Sequence, residues 1–271
     1  MLRIPITMCH GLPDRETDEF PLTYDRFDKL IGIASELGFE SIDYDDLAAW
    51  REGTGELPER PIMFDIDHPM LTVRNGVQEI FAKYGYHGSL FINTGVMHED
   101  ADGWSAKVRD AGVMTWQQIG ELVELGWHIG AHTVTHPDLS KLLADDPDGE
   151  QLQKELEDCD AEIEKELGIK PKDFAFTGIS WSSVAEKLVM KRYRFGRLWI
   201  IRSTYHADGE KIRYADLVNV EGEDEADGGP PMAARYITKD MHAYRLPSME
   251  FQSKLMNKPE QFRSYLEGAL A

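Results

Sequence analysis

Two short segments hold most of the chemistry available to this sequence. In Pro61-Ile62-Met63-Phe64-Asp65-Ile66-Asp67-His68-Pro69 an apolar run leads straight into two carboxylates one residue apart. In Gly126-Trp127-His128-Ile129-Gly130-Ala131-His132-Thr133-Val134-Thr135-His136-Pro137 a second run delivers two imidazoles four positions apart. Two imidazoles and one carboxylate make three ligands for a divalent cation, zinc foremost. Three ligands leave a position for water, as catalytic rather than closed structural sites do. Water on such an ion ionises near neutral pH, and a second carboxylate beside it can take the proton. Alone, each motif has an ordinary explanation, because Asp-x-Asp is common in turns and paired loop histidines arise by chance. Joined at the ends of buried strands, they read as one site.

The elements that position them follow from hydrophobic periodicity. Strands are expected over Ile4–Met8, Pro61–Phe64, Gly88–Asn93, Trp127–Ala131, Asp173–Phe176, Arg197–Arg202 and Tyr244–Leu246. Helices are expected over Tyr24–Leu37, Asn75–Tyr84, Trp116–Leu125, Glu150–Leu167, Ser182–Arg192 and Pro259–Ala269. Gly38, Gly126 and Gly168 stand where left-handed C-caps belong, and Thr115 is placed to cap the Trp116 helix. Alternating β and α units with short connections imply a parallel sheet, closed or doubly wound, whose strand C-termini collect site residues. The acidic stretch Val220–Gly229 and the Asp145–Asp148 segment read as solvated loops.

Composition narrows the classes. With 271 residues, no internal repeat and no Pro/Gly/Ser linker, residues 1–271 are expected to form one domain. A formal charge of −20, from 49 acidic and 29 basic side chains, opposes nucleic acid and anionic membrane surfaces. Two cysteines, Cys9 and Cys159, cannot build a disulfide framework or a thiolate zinc site. No apolar run is long enough to span a bilayer, and no signal-peptide core precedes the first strand. The expectation is therefore a cytoplasmic protein, with the oligomeric state left open.

At these residues the chain resembles the polysaccharide deacetylase family (NodB-like proteins, carbohydrate esterase family four). Pro5-Ile6-Thr7-Met8-Cys9-His10-Gly11 is similar to the family's opening strand and Tyr-His-Gly turn. Met63-Phe64-Asp65-Ile66-Asp67 stands where the family has Thr-Phe-Asp-Asp-Gly. His132-Thr133-Val134-Thr135-His136-Pro137-Asp138-Leu139 is close to its metal-binding signature, the most specific match in the chain. The resemblance implies an α/β fold, a distorted, incomplete (β/α) barrel of about seven strands that lacks the last one. It also implies a metal-dependent hydrolase of carbon–nitrogen bonds other than peptide bonds, one that removes acetyl groups from an N- or O-acetylated carbohydrate. By position Asp65 is the base that assists attack of metal-bound water, and His132 and His136 are ligands. The family's usual second Asp falls on Ile66. A branch with Asp-x-Asp, containing peptidoglycan deacetylases and cyclic amide hydrolases, places the third ligand on Asp67.

Two expected features have no counterpart at the family's positions. The third motif, an Arg with a Pro-Tyr pair on the strand after the long helix, reads here Phe174-Ala175-Phe176-Thr177-Gly178-Ile179-Ser180. Arg202, on a later strand, is the candidate to reach the site instead. The family closes with a helix and then a strand carrying a Leu-x-His general acid, whereas here the sequence ends after the helix. Leu246-Pro247-Ser248 mimics that spacing with Ser in the histidine's place, and His68, His206 and His242 are the candidate substitutes. Substrate contacts are expected from His10, Thr177, Gly178, Trp181 and Arg202, while Trp116 and Trp199 are expected in the core. Loss of the acid would favour O-acetyl esters or small activated amides. The other readings are a cyclic amide hydrolase of the allantoinase or imidase type and a non-catalytic carbohydrate-binding relative.

Overall fold

The apolar runs become parallel strands because each is covered on both faces, which is why they read as near-continuous hydrophobic segments rather than alternating ones. In the computed structural model, which describes residues 2–12 and 22–271, these are β1 (Ile4–Cys9), β2 (Pro61–Asp67), β3 (Ser89–Ile92), β4 (His128–Ala131), β5 (Asp173–Ala175), β6 (Phe195–Ile200) and β7 (Leu246–Glu250). Each pairs in parallel with the next in sequence. The ring closes where β7 pairs with β1, Thr7 opposite Met249. The result is a closed seven-stranded parallel barrel surrounded by helices.

The strand expected to be missing is therefore filled, and it precedes the last helix instead of following it. It runs past the expected Tyr244–Leu246 to Glu250, through Pro247, Ser248 and Glu250, which interrupt the apolar pattern. Pro is rarely found inside a sheet, since it cannot donate to the ladder.

Around the barrel lie α1 (Tyr24–Glu36), α2 (Tyr44–Glu52), α3 (Gln78–Tyr84), α4 (Gly103–Asp110), α5 (Trp116–Glu124), α6 (Glu150–Leu167), α7 (Ser183–Arg192) and α8 (Pro259–Leu270). The α5 N-terminus is closed by a capping box between Thr115 and Gln118. Neither α2 nor α4 was anticipated, and both bear on the site. Inside the barrel, Ile4, Ile6, Met63, Phe195 and Leu246 pack with Tyr44 and Leu47 of α2, so this helix plugs the end where the strands begin. A second, larger core fills the space between strands and outer helices. A small three-stranded sheet, Ser180–Trp181 with Thr204–Ala207 and Glu210–Arg213, was also not foreseen. No helix of the described residues is long and apolar enough to cross a membrane.

Candidate active site

Pleating places Met63, Asp65 and Asp67 on the inner side of β2, at successive heights toward the C-terminal rim. Asp67 ends the strand and forms part of the wall of a cavity of about 1300 Å³. Asp65 lies one layer below, is 1% exposed, and is not on that wall. Its Oδ2 accepts from the Tyr44 hydroxyl at 2.9 Å and the Ser248 hydroxyl at 3.1 Å, while Oδ1 has no hydrogen-bond partner. Ser248, at the position of the expected histidine, is thus a buried donor to the aspartate.

Arg197 of β6 is fully buried between the two carboxylates. Its Nε is 3.4 Å from Asp65 Oδ2, and its Nη2 donates to Asp67 Oδ1. The guanidinium also sits over the Phe91 ring, 5.0 Å from its centroid. Glycine at position 130 lets that ring in, because a Cβ there would overlap it. Arg202, by contrast, is exposed on the cavity wall. The cation at the carboxylates is Arg197, not Arg202, and the clue to it is a charge at an inward position of Phe195-Gly196-Arg197-Leu198-Trp199-Ile200. A cation buried there needs a carboxylate partner. Burial pushes the Asp65 carboxyl up to about 6, although Arg197 and both hydroxyls pull the other way. Two carboxylates and one guanidinium leave one negative charge unbalanced.

His132 is the first residue beyond β4. Its Nδ1 lies 2.8 Å from the Ala175 carbonyl, which can only accept, so Nδ1 carries the proton and Nε2 the lone pair. That Nε2 is buried, has no hydrogen-bond partner, and lies 3.8 Å from Asp67 Oδ2. An orphaned lone pair beside an unbalanced carboxylate is where a cation fits. Two ligand atoms of a tetrahedral zinc ion lie about 3.3 Å apart, close to this spacing. A carbonyl partner on the other ring nitrogen is also the usual support for a ligating histidine.

The turn from His132 to His136 takes an uncommon path. Thr133 and His136 have φ of 66° and 59°, a region costly for non-glycine residues and above all for a β-branched one. Glu155 of α6 holds it there, accepting from the Val134 and Thr135 amides at 2.9 and 2.8 Å and from the Thr135 hydroxyl at 2.8 Å. The His136 ring stacks on Trp104 of α4, centroids 4.3 Å apart. His68, just past β2, is also buried here. Burial, reinforced by neighbouring imidazoles, keeps His68 and His132 well below the ordinary histidine range and brings His136 to about 4. All three rings are therefore neutral and able to offer a lone pair.

Of the expected substrate contacts, His10, Gly178 and Arg202 are on the cavity wall. His10 Nδ1 lies 3.2 Å from Glu250 Oε2, which also accepts from Trp199 Nε1 at 2.9 Å. Trp199, expected in the core, lines the cavity; Trp116 packs against the core as expected. Thr177 and Trp181 are not on the wall. Thr177 donates to the Pro137 carbonyl and so braces the histidine turn. Trp181 is buried, donates to Glu186 at 2.9 Å and lies under the Arg245 guanidinium. His206 is exposed, and neither it nor His242 lines the cavity.

A polysaccharide deacetylase family model matches residues 54–193, and the chain belongs to that family. Its fold is similar to the Streptococcus pyogenes deacetylase PplD in complex with acetate, at 15% identity, covering 98% of each chain with a TM-score of 0.70. It is also similar to the BpsB deacetylase domain from Bordetella bronchiseptica (15% identity, 92% of this chain and 96% of that one, TM-score 0.66). IcaB from Ammonifex degensii gives 14% identity over 100% of this chain and 98% of that one, with a TM-score of 0.65. No curated protein sequence matches the chain.

Proposed function

We propose that this protein is a metal-dependent hydrolase that removes acetyl groups from an N- or O-acetylated carbohydrate. The observation that carries the reading is the bare, buried Nε2 of His132 beside the Asp67 carboxylate, at the rim where parallel barrels place their catalytic groups. Asp67, His132 and His136 would hold the ion. When bound, it would polarise the acetyl carbonyl and make water a stronger nucleophile near neutral pH.

The remaining steps belong to the chain's own side chains. Asp65, fixed through Oδ2 by Tyr44 and Ser248 and with Oδ1 unengaged, takes the proton from the attacking water. Arg197 keeps both aspartates in register for this. The backbone around Gly178, on the cavity wall, offers an N–H donor for the developing oxyanion. Collapse then expels an amine or an alcohol, and an amine needs a proton as it leaves. His10, oriented through Nδ1 by Glu250, is the group placed to supply it from Nε2. This pairing brings N-acetyl substrates within reach despite Ser248. A cavity of about 1300 Å³ is roomier than a small cyclic amide fills, which favours a saccharide.

The test measures zinc content and deacetylation together. Asp65→Asn keeps the metal and loses about 10²–10⁴-fold in turnover, whereas His132→Ala loses both. Full metal occupancy in His132→Ala would remove His132 from the ligand set and the reading with it.

A further inference from the structure

By sequence His68 is a candidate proton donor, yet its surroundings are those of a metal ligand. Its backbone has φ of 65°, the same left-handed region as His136, and the residue is 5% exposed. Nδ1 lies 2.8 Å from Asn93 Oδ1, an acceptor only, so Nδ1 carries the proton and Nε2 the lone pair. The same tautomer is set at His132 by the Ala175 carbonyl. One ring nitrogen from each of His68, His132 and His136 lies within 4.8 Å of those of the other two.

The ring positions agree with a shared ion. Zinc–nitrogen distances put an imidazole centroid about 3.2 Å from the metal, so three tetrahedrally disposed rings have centroids about 5.2 Å apart. The separations here are 5.1 Å for His68–His132, 5.3 Å for His68–His136 and 4.9 Å for His132–His136. Asp67, meanwhile, has Oδ1 taken by Arg197 and keeps only Oδ2 for a cation.

We infer that His68 is a further metal ligand, so that the ion is held by the three imidazoles of His68, His132 and His136, with Oδ2 of Asp67 beside His132. This rests on the reading that the site binds a divalent metal and adds a ligand to it. A set richer in imidazole than in carboxylate favours zinc, cobalt, nickel or copper over magnesium or manganese. Asn93 becomes a positioning residue, because it fixes the His68 tautomer and ring plane.

Cobalt(II) supplies the test without an activity assay. Unpaired electrons on the ion shift the N–H protons of bound imidazoles far outside the ordinary proton NMR range. The Nδ1 protons of His68 and His132 are both hydrogen-bonded in the interior and exchange slowly. The cobalt-loaded wild type should therefore show at least two such slowly exchanging lines, and His68→Ala one fewer. Competition with a chelator for Zn2+ should show His68→Ala weakened by more than about 100-fold, and Asn93→Leu by about 10–100-fold. A single slowly exchanging line in the wild type overturns the inference even if no variant folds. So does unchanged Zn2+ affinity in His68→Ala. If the wild type takes up no cobalt at all, the metal reading itself falls, an outcome distinct from uptake without His68.

Discussion

Arg197 offers the sharpest test of how this barrel is held together. Its side chain is fully buried, and Asp65 and Asp67 on either side are 1% and 2% exposed. Arg197→Met keeps most of the volume and removes the charge. Asp65 is then left with two hydroxyl donors and no cation, and Asp67 Oδ1 loses its donor. Breaking a buried ion pair from one side costs about 3–5 kcal/mol, because an uncompensated charge stays in the interior. In a domain of this size each kcal/mol moves the melting temperature by roughly 2–4 °C, so the metal-free variant should melt about 6–20 °C lower.

The same geometry predicts that the two residues are coupled. In the metal-free wild type, Asp65→Asn leaves Arg197 paired with Asp67 and changes stability little. In the Arg197→Met background the same change removes a stranded anion and stabilises. Urea denaturation of the four metal-free proteins measures the coupling, expected at about 0.5–3 kcal/mol or above. A loss below about 1 kcal/mol for Arg197→Met, or additive effects of the two substitutions, would refute the charge cluster as the determinant.

Three further outcomes follow from other parts of the site. Glu155→Ala releases the Val134 and Thr135 amides, and chelator competition should show Zn2+ affinity lowered by about 10–100-fold with the fold intact; unchanged affinity would mean that the histidine turn holds itself. His10→Gln should depress turnover of an N-acetyl sugar by about 10²–10⁴-fold and that of a matched O-acetyl ester much less, since an alcohol leaves more readily than an amine; equal losses on both would deny His10 the role of proton donor. Burial pushes the Cys9 thiol up to about 12, with Glu250 adding to it, and raises Cys159 as well, so neither should react with iodoacetamide near pH 8 until the protein unfolds; fast native modification, read by mass spectrometry, would contradict the packing.

The barrel was legible because strands covered on both faces leave long apolar runs and caps leave glycines and threonines. The Asp65–Asp67 and His132–His136 motifs were legible because both lie at the ends of such runs. What the sequence hid were partners chosen by three-dimensional neighbourhood. Tyr44 and Trp104 lie on helices whose mixed composition gave no clear period, yet one reaches Asp65 from below and the other stacks on His136. Glu155 is one acidic residue among many on α6, and only the fold brings it to the turn 20 residues away. Trp199 looked like core because its neighbours are apolar. It shares the inward face with Arg197, two residues further along the strand, and meets Glu250 at the rim.

The displaced arginine shows why position along one strand is a weaker guide than position in the barrel. The resemblance puts the expected cation in the Phe174–Ser180 segment, which begins on β5 and holds no arginine. Ala175 is the register partner of Arg197 on the adjacent strand, so the two residues stand side by side at the same height. An alanine there leaves the interior open at the level of Asp65, and the guanidinium enters the same space from the neighbouring strand. Phe91, admitted by Gly130, supplies the surface on which it rests. What the proposed chemistry requires is a cation at that height facing two carboxylates, and a closed barrel can supply it from any strand whose inward side chain reaches the axis. The proposed proton donor follows the same logic. With Ser248 committed to Asp65, an imidazole one strand over, at the end of β1, meets the carboxylate that ends β7, and Met8 opposite Glu250 in the ladder sets that meeting. The barrel thus keeps the charges and donors at fixed heights while letting their strands of origin change.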